Sequence, residues 1–228
     1  MEQKCSLKKH NEYQYRVRIE PLLEEKIRYL CNKYYDKEWS GAIFTKKEGD
    51  IIIAKDLYLM DIGNSTYTEW ECDLNLSNYH AKNWFNEDIN IIHSHNVMNT
   101  NFSSTDYATL EELGSKSISF LSLIVNNKGN YSAYYTIRTE VKRKVEAEYK
   151  QVGNDGTQIV TEKYDEKEII VNAYPCIVKC SKNSKKEWEK DIDERIKQIN
   201  ISKKFSKKTI AEENNINEQE NSFFSYLL

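Results

Sequence analysis

The chain has 228 residues, and 33 lysines and arginines nearly balance 36 aspartates and glutamates, which leaves a formal net charge of −3. This length is sufficient to bury a hydrophobic core. No apolar run approaches the roughly 18 residues that a membrane span needs. The charges of both signs are interspersed, whereas dedicated nucleic-acid binders usually carry a concentrated basic face. We therefore expect neither a membrane nor a nucleic acid as a partner.

The start of the chain has basic residues but no apolar stretch behind them, so we expect no secretory signal and a cytoplasmic location. In that compartment the 5 cysteines, an odd number, are expected to be reduced thiols and not a disulfide framework.

The first third of the chain predicts a helix followed by a hairpin. Apolar residues recur at three- and four-residue spacing over residues 19–34, with Pro21 near the start, which is typical of an amphipathic helix. Two short runs, residues 39–45 and 51–60, flank a charged turn that contains Gly49. This pattern predicts two paired strands.

The middle of the chain predicts alternating short elements. Residues 67–76 could form a strand, and Ser77 is a plausible N-cap for a short helix over residues 78–85. Residues 89–95 are an apolar run of strand length. A loop then leads to a segment after Asp106 that has the composition of a helix.

A second hairpin is predicted for residues 118–126 and 131–137, which flank a turn built from Asn and Gly. The charged stretch from 138 to 168 predicts either a projecting hairpin or a helix and a strand. Residues 169–178 are apolar enough to return to the main body. Residues 185–199 carry a helical apolar face that includes Trp188.

One group of residues indicates metal chemistry. His93 and His95 end a predicted strand, and the two-residue period of a strand directs both imidazoles to the same side. A hydrolytic metal site needs a third protein ligand and an open position for water. Asp106 is the candidate for the third ligand. Ser103 is placed to donate a hydrogen bond to an oxyanion, and Glu38 could supply the general base.

This order of residues resembles the signature of the JAMM (JAB/MPN) metalloprotease family: Glu, then His-x-His, seven residues, Ser, two residues and Asp. EWSGAIF resembles the family strand that bears the catalytic glutamate, and IHSHNVMNTNFSSTD resembles the loop of its bacterial and phage members. The resemblance covers roughly residues 21–137. It implies a cytidine-deaminase-like α/β fold with three α-β-α layers and a mixed central sheet.

The same resemblance implies a role for each site residue. His93, His95 and Asp106 would bind one catalytic zinc ion, Glu38 would act as the general base, and Ser103 would stabilise the tetrahedral intermediate. The expected activity is hydrolysis of an amide or isopeptide bond in a protein, either a ubiquitin-like protein or a bacterial or phage structural protein.

The predicted organisation has three parts. Residues 14–137 would form the JAB/MPN metalloprotease domain, and residues 138–200 a charged extension of hairpin and helix that packs on the core or projects from it. Residues 201–228 are polar apart from a final FFSYLL, and disorder is the expected state there. The extension could attach the chain to a protein complex.

Two other classes of protein are alternatives to the JAMM resemblance. A non-catalytic MPN scaffold would use the same fold only for assembly, although such members usually lack the ligands that are present here. Zinc deaminases have His-x-Glu followed by Pro-Cys-x-x-Cys. Here Cys176 and Cys180 are separated by three residues, and position 95 holds histidine, so the deaminase pattern is not met.

Overall fold

The structure is a computed structural model that describes residues 4–69, 73–153, 156–180 and 191–203. In chain order its elements are β1 (Lys4–Lys9), β2 (Tyr15–Ile19), α1 (Pro21–Lys33), β3 (Trp39–Glu48), β4 (Ile51–Ile62), α2 (Leu74–Asn83), β5 (Asp88–Ser94), α3 (Ser104–Lys116), β6 (Ser119–Val125), β7 (Tyr131–Gly153) and β8 (Gly156–Cys180). Residues 191–203 are helical and are called α4.

The eight strands form one mixed sheet in the order β1-β8-β2-β4-β3-β5-β6-β7, and β7 also pairs with β8. The strand pairs β1–β8, β2–β8, β2–β4 and β5–β6 are parallel, and the other four pairs are antiparallel. Because β8 pairs with strands at both ends of this order, the sheet curves back on itself.

Helices cover both faces of the sheet. Successive strand residues point to opposite faces, so Ile43 and its neighbour Phe44 lie in different apolar clusters. The main core contains Ile43 together with buried residues of α1 and α4. On the other side, α2 packs Leu76 with Phe44, and α3 packs Leu110 against strand residues. The chain is therefore an α/β protein with a mixed eight-stranded sheet, as the sequence predicts at that level.

Most of the predicted local elements are confirmed. The first helix, the hairpin β3–β4, strand β5, the helix after Ser103 and the hairpin β6–β7 all form where the sequence places them. The charged stretch after Arg138 adopts the hairpin alternative, because β7 and β8 pair antiparallel out to Gly153 and Gly156.

The prediction for residues 67–85 is wrong at its start. Helix α2 begins at Leu74 and not at 78, and residues 67–69 are not in a strand. Asp73 is the N-cap, because its side chain accepts a hydrogen bond of 2.7 Å from the backbone N–H of Leu76. An aspartate at this position satisfies a helix N–H that would otherwise lack a partner. Ser77 therefore lies inside the helix.

The sheet takes strands from both sides of the predicted 14–137 domain. β1 precedes that domain and pairs with β8, whose residues 168–173 belong to the predicted extension. In β8, Val171 and Ala173 are completely buried, so the predicted return of residues 169–178 to the main body is confirmed.

The last predicted elements fall partly outside the described residues. α4 covers the described portion of the helix expected at residues 185–199 and continues to residue 203. Trp188 and the tail from residue 204 onward lie outside the described ranges. Among the helices that are described, none is long and apolar enough to cross a membrane.

Candidate metal centre

The candidate site lies where three elements begin or end. His93 is the second-to-last residue of β5, and His95 directly follows that strand. Asp106 is in the first turn of α3. Strand β3 is antiparallel to β5, with Ser40 opposite His93. Glu38 precedes Ser40 by two residues, so it is level with His95 and on the same face of the sheet.

The ligand atoms of the two histidines and the aspartate converge. His93 Nε2 is 3.1 Å from His95 Nε2 and 3.0 Å from Asp106 Oδ1, and His95 Nε2 is 3.5 Å from Asp106 Oδ2. Ligands about 2.0–2.1 Å from a tetrahedral zinc ion lie roughly 3.3 Å from one another. The three side chains therefore fit a zinc ion in spacing and in donor type.

The orientation of His95 is set by its second ring nitrogen. Nδ1 of His95 lies 2.8 Å from the carbonyl oxygen of Asn99, and because a carbonyl can only accept, Nδ1 carries the proton. Nε2 then carries no proton, and its lone pair is free to bind a metal ion between the three side chains. Burial by itself would lower the pKa of His95, but the hydrogen bonds to Asp106 and Asn99 raise it above its ordinary value.

The loop after β5 turns sharply to bring Asn99 under His95. Asn96 has a φ of +35°, in the left-handed region that asparagine tolerates better than most residues. Its side-chain N–H group donates to the carbonyl of Ser65 at 2.6 Å, and the backbone N–H of Met98 donates to the carbonyl of His95 at 2.8 Å. These bonds hold the turn in place.

Asp106 is held by the start of α3. Its carboxylate accepts a 2.7 Å hydrogen bond from the backbone N–H of Ser103, and Ser103 Oγ accepts one of 3.2 Å from the backbone N–H of Asp106. This reciprocal pair is a capping box. Burial by itself would raise the pKa of Asp106, but the hydrogen bonds with His93 and His95 hold it well below its usual range. The Ser103 hydroxyl keeps its own hydrogen for donation.

Glu38 is a carboxyl group with an unusual environment. Only 5% of the residue is exposed, and burial is the main reason that its pKa rises from 4.5 to about 7. The positive character of His95 lowers this pKa and the charge of Asp106 raises it. A carboxyl group with a pKa near the working pH can both accept and release a proton.

All five predicted site residues line one cleft of about 910 Å³. On one side the cleft is walled by residues of the loop that follows β4, which are Thr66, Tyr67, Thr68 and Glu69. The sequence predicts neither this wall nor the roles of Asn96 and Asn99. The only local signal for the two asparagines is the Asn-rich composition of the loop after His95, which favours turns.

The other residues that the sequence singled out lie elsewhere. Cys176 belongs to the main core, where burial raises the pKa of its thiol to about 12. His10 is bonded to Asn172 on β8, and His80 to the carbonyl of Glu87.

No protein-family model matches the chain, and no curated protein matches it either. Among solved structures, it is similar to the solution structure of protein DSY2949 from Desulfitobacterium hafniense, with 11% sequence identity and a TM-score of 0.41. The match covers 73% of this chain and 94% of that one. Similarity at this level says nothing about the activity of this chain.

Proposed function

We propose that this chain is a zinc-dependent metallohydrolase of the JAMM (JAB/MPN) type that cleaves an amide or isopeptide bond in a protein. The observation that carries the proposal is the convergence of His93, His95 and Asp106 within 3.0–3.5 Å, in the same cleft as Glu38. The three-layer, cytidine-deaminase-like form of the α/β fold, and a cytoplasmic location, belong to the same proposal.

His93, His95 and Asp106 would hold the zinc ion, and three protein ligands leave a fourth position open, as catalytic zinc sites require. Bound there, zinc would lower the pKa of a water molecule towards about 7 and polarise the scissile carbonyl.

Glu38 supplies the proton transfers. Its carboxylate accepts a proton from the attacking water and then delivers it to the nitrogen of the leaving group. Because its pKa is raised to about 7, it holds the transferred proton more readily than an ordinary glutamate would. It is level with His95 across β3 and β5 and lines the same cleft as the ligand set.

Ser103 stabilises the charge that develops on the carbonyl oxygen. Its Oγ accepts from the backbone of Asp106, so the hydroxyl is held at the edge of the cleft with its hydrogen unused by the cap. A donor fixed in this way requires little reorganisation during the reaction.

The cleft suits a bond within a chain. Its described lining contains no lysine or arginine, so no basic side chain there would pair with a free carboxylate at a substrate terminus. The lining of the cleft instead presents hydroxyl, amide and apolar groups, such as Thr66, Asn101 and Met98. A neutral peptide or isopeptide bond, as in a ubiquitin-like protein or a bacterial or phage structural protein, fits this lining.

The test begins with metal content and continues with cleavage. We expect the purified protein to bind one zinc ion per chain, measured by elemental analysis. The zinc-loaded protein should cleave at least one of three probes: a proteome-derived peptide library, linear ubiquitin fusions or isopeptide-linked diubiquitin. Mass spectrometry identifies the products.

The decisive variant is Glu38→Gln, which should keep zinc and lose cleavage by about 10²–10⁴-fold. Glu48→Gln is the matched control, because Glu48 is an exposed glutamate at the far end of β3, the strand that Glu38 directly precedes. Full activity in Glu38→Gln would refute the assigned base. A wild-type protein without bound zinc or cleavage would favour the scaffold alternative.

A further inference from the structure

The wall of the cleft is built on a short loop that also holds the general base. Residues 63–69, called the wall loop, directly follow β4. The backbone N–H of Glu38 donates to the carbonyl of Asn64 at 2.7 Å, and the N–H of Gly63 donates to the carbonyl of Glu38 at 2.8 Å. Both backbone groups of Glu38 are therefore bonded to the wall loop, so a shift of this loop moves Glu38.

The wall loop is folded tightly upon itself. The backbone N–H of Asn64 donates to the carbonyl of Tyr67 at 2.9 Å. A Cβ atom at Gly63 would lie 1.9 Å from the carbonyl oxygen of Tyr67 and 2.8 Å from the Cα of Thr68. Only glycine permits this approach, so the two ends of the loop move together.

Asp61 bonds the far end of the wall loop. Its Oδ2 accepts hydrogen bonds from the Thr68 hydroxyl at 3.1 Å and from the backbone N–H of Glu69 at 3.0 Å. Its Oδ1 lies 2.5 Å from Nζ of Lys203 in α4, and the Lys203 ammonium also donates to the carbonyl of Ile62. Asp61 thus connects the wall loop to α4.

Helix α4 is a fixed support for this contact. Its residues Ile192, Ile196 and Ile199 are buried in the main core. Arg195 of the same helix donates to the carbonyl of Leu59 at 3.0 Å and lies 3.3 Å from Asp73, the first described residue after 69. Cations of one helix therefore hold the chain on both sides of the wall loop.

We propose that Lys203 is a positioning residue: through Asp61 it holds the wall loop against the backbone of Glu38 and so fixes the carboxyl group over the metal ligands. The holding of the loop follows from the contacts alone, and only its effect on catalysis rests on the proposed function. On this basis the segment after the sheet takes part in forming the active site, although it contributes no group to the chemistry.

The direct test is hydrogen exchange of the backbone amides, which needs no substrate. In Lys203→Met we expect the amides of Glu38, Gly63, Asn64 and Glu69 to exchange about tenfold faster or more, because the loop opens more often. Amides of β5 and β6 should keep their wild-type rates. Lys197→Met, on an exposed lysine of the same helix, is the matched control and should leave the wall loop unchanged.

Further variants separate positioning from general destabilisation. Lys203→Arg should restore slow exchange, and Asp61→Asn should speed exchange of the same amides without adding to the effect of Lys203→Met in the double variant. Unchanged exchange of the wall loop in Lys203→Met would overturn the proposal. So would a uniform acceleration that includes the core strands, since that would mean ordinary loss of stability.

The kinetic consequence is measured on a peptide that the wild-type protein is shown to cleave. Lys203→Met should lower kcat while KM changes less and zinc content stays at the wild-type level, because the metal ligands are untouched. A fall in zinc content would contradict the assigned role. If the wild-type protein cleaves nothing, the proposed function fails, and the exchange experiment still decides whether Lys203 positions the wall loop.

Discussion

Two of the buried groups of ionisable side chains in the described part of the chain differ in how their charges are matched. In the first, Lys26 of α1 and Asp56 of β4 form an ion pair of 2.5 Å with side chains only 5% and 4% exposed. In the second, the metal centre, Glu38 and Asp106 share the cleft with two imidazoles, and no lysine or arginine is among the described lining residues.

The Lys26–Asp56 pair is closed by further hydrogen bonds. The Asp56 carboxylate also accepts from the Tyr79 hydroxyl at 2.9 Å and from the backbone N–H of Leu57 at 2.8 Å. A buried ion pair of this kind holds elements together only when its remaining bonding capacity is satisfied. It joins α1, β4 and α2, and its role is structural.

The metal centre has the opposite balance. Its carboxylates have no lysine or arginine beside them among the described lining residues, and burial is the main reason that the pKa of Glu38 rises to about 7. Perturbed carboxyl groups in a cleft are typical of functional sites. The two groups therefore differ in the degree of charge compensation, and we expect only the second to take up a cation; the following variants test that distinction.

The largest effect is expected from His95→Ala. Removal of one of three ligands should reduce bound zinc from about one ion per chain to a trace, because two protein ligands cannot hold the ion in a stable site. His10→Ala is the control. His10 bonds to Asn172 on β8 and does not line the cleft, so this substitution should leave zinc binding intact. Elemental analysis after dialysis gives the result, and retained zinc would contradict the ligand assignment.

Lys26→Met should destabilise the fold by about 3–5 kcal/mol, because it leaves the Asp56 carboxylate buried without its cation. Lys55→Met is the matched control. Lys55 is on β4 next to Asp56, and its pair with Glu87, just before β5, is more exposed, at 22% and 12%. That pair should be worth about 1 kcal/mol or less. Urea unfolding measures both. Equal effects of the two substitutions would mean that burial does not distinguish these pairs.

Glu38→Gln should stabilise the metal-free protein at pH 8 by about 3 kcal/mol and change it little at pH 4. The folded-state pKa of Glu38 is raised from 4.5 to about 7, so folding binds a proton in this range. Stability is therefore lost as pH rises from about 4.5 to 7 in the wild type. Parallel urea titrations at both pH values check this, and a pH-independent difference would be inconsistent with the raised pKa.

The smallest effects concern Ser103. Ser103→Ala should cost about 1 kcal/mol through loss of the helix cap, whereas Ser103→Gly should cost only a few tenths. Both variants lack the hydroxyl, so both should lose catalytic rate to the same extent if Ser103 donates to the oxyanion. Thermal unfolding and kinetics on one substrate separate the two roles. Rates that follow stability would assign Ser103 to capping alone.

The grouping of His93, His95 and Asp106 could be predicted because the information for it is local. The strand period places His93 and His95 on one side, and the serine and aspartate spacing at the start of α3 is a capping box. The start of α2 was missed because the apolar and aromatic residues before it have the composition of a strand, whereas Asp73 exerts its effect through a single cap.

The wall loop and its support could not be predicted for a different reason. Lys203 and Asp61 are far apart in sequence, and neither belongs to a recognisable pattern. Likewise β1 and β8 meet only in the folded sheet. Contacts of this kind depend on tertiary packing, which local propensity does not encode.

The pairing of β1 and β2 with β8 has a consequence for how the chain folds. Lys4 lies opposite Glu168, and Tyr15 lies opposite Cys176. β2 can pair with β4 as soon as that strand has been made. β1 obtains its partner β8 only after most of the chain has been synthesised, and closing so long a loop costs conformational entropy before any contact is gained. We expect β1 to join late, so the edge of β2 that faces β8 stays unpaired in the nascent chain until β8 has been made.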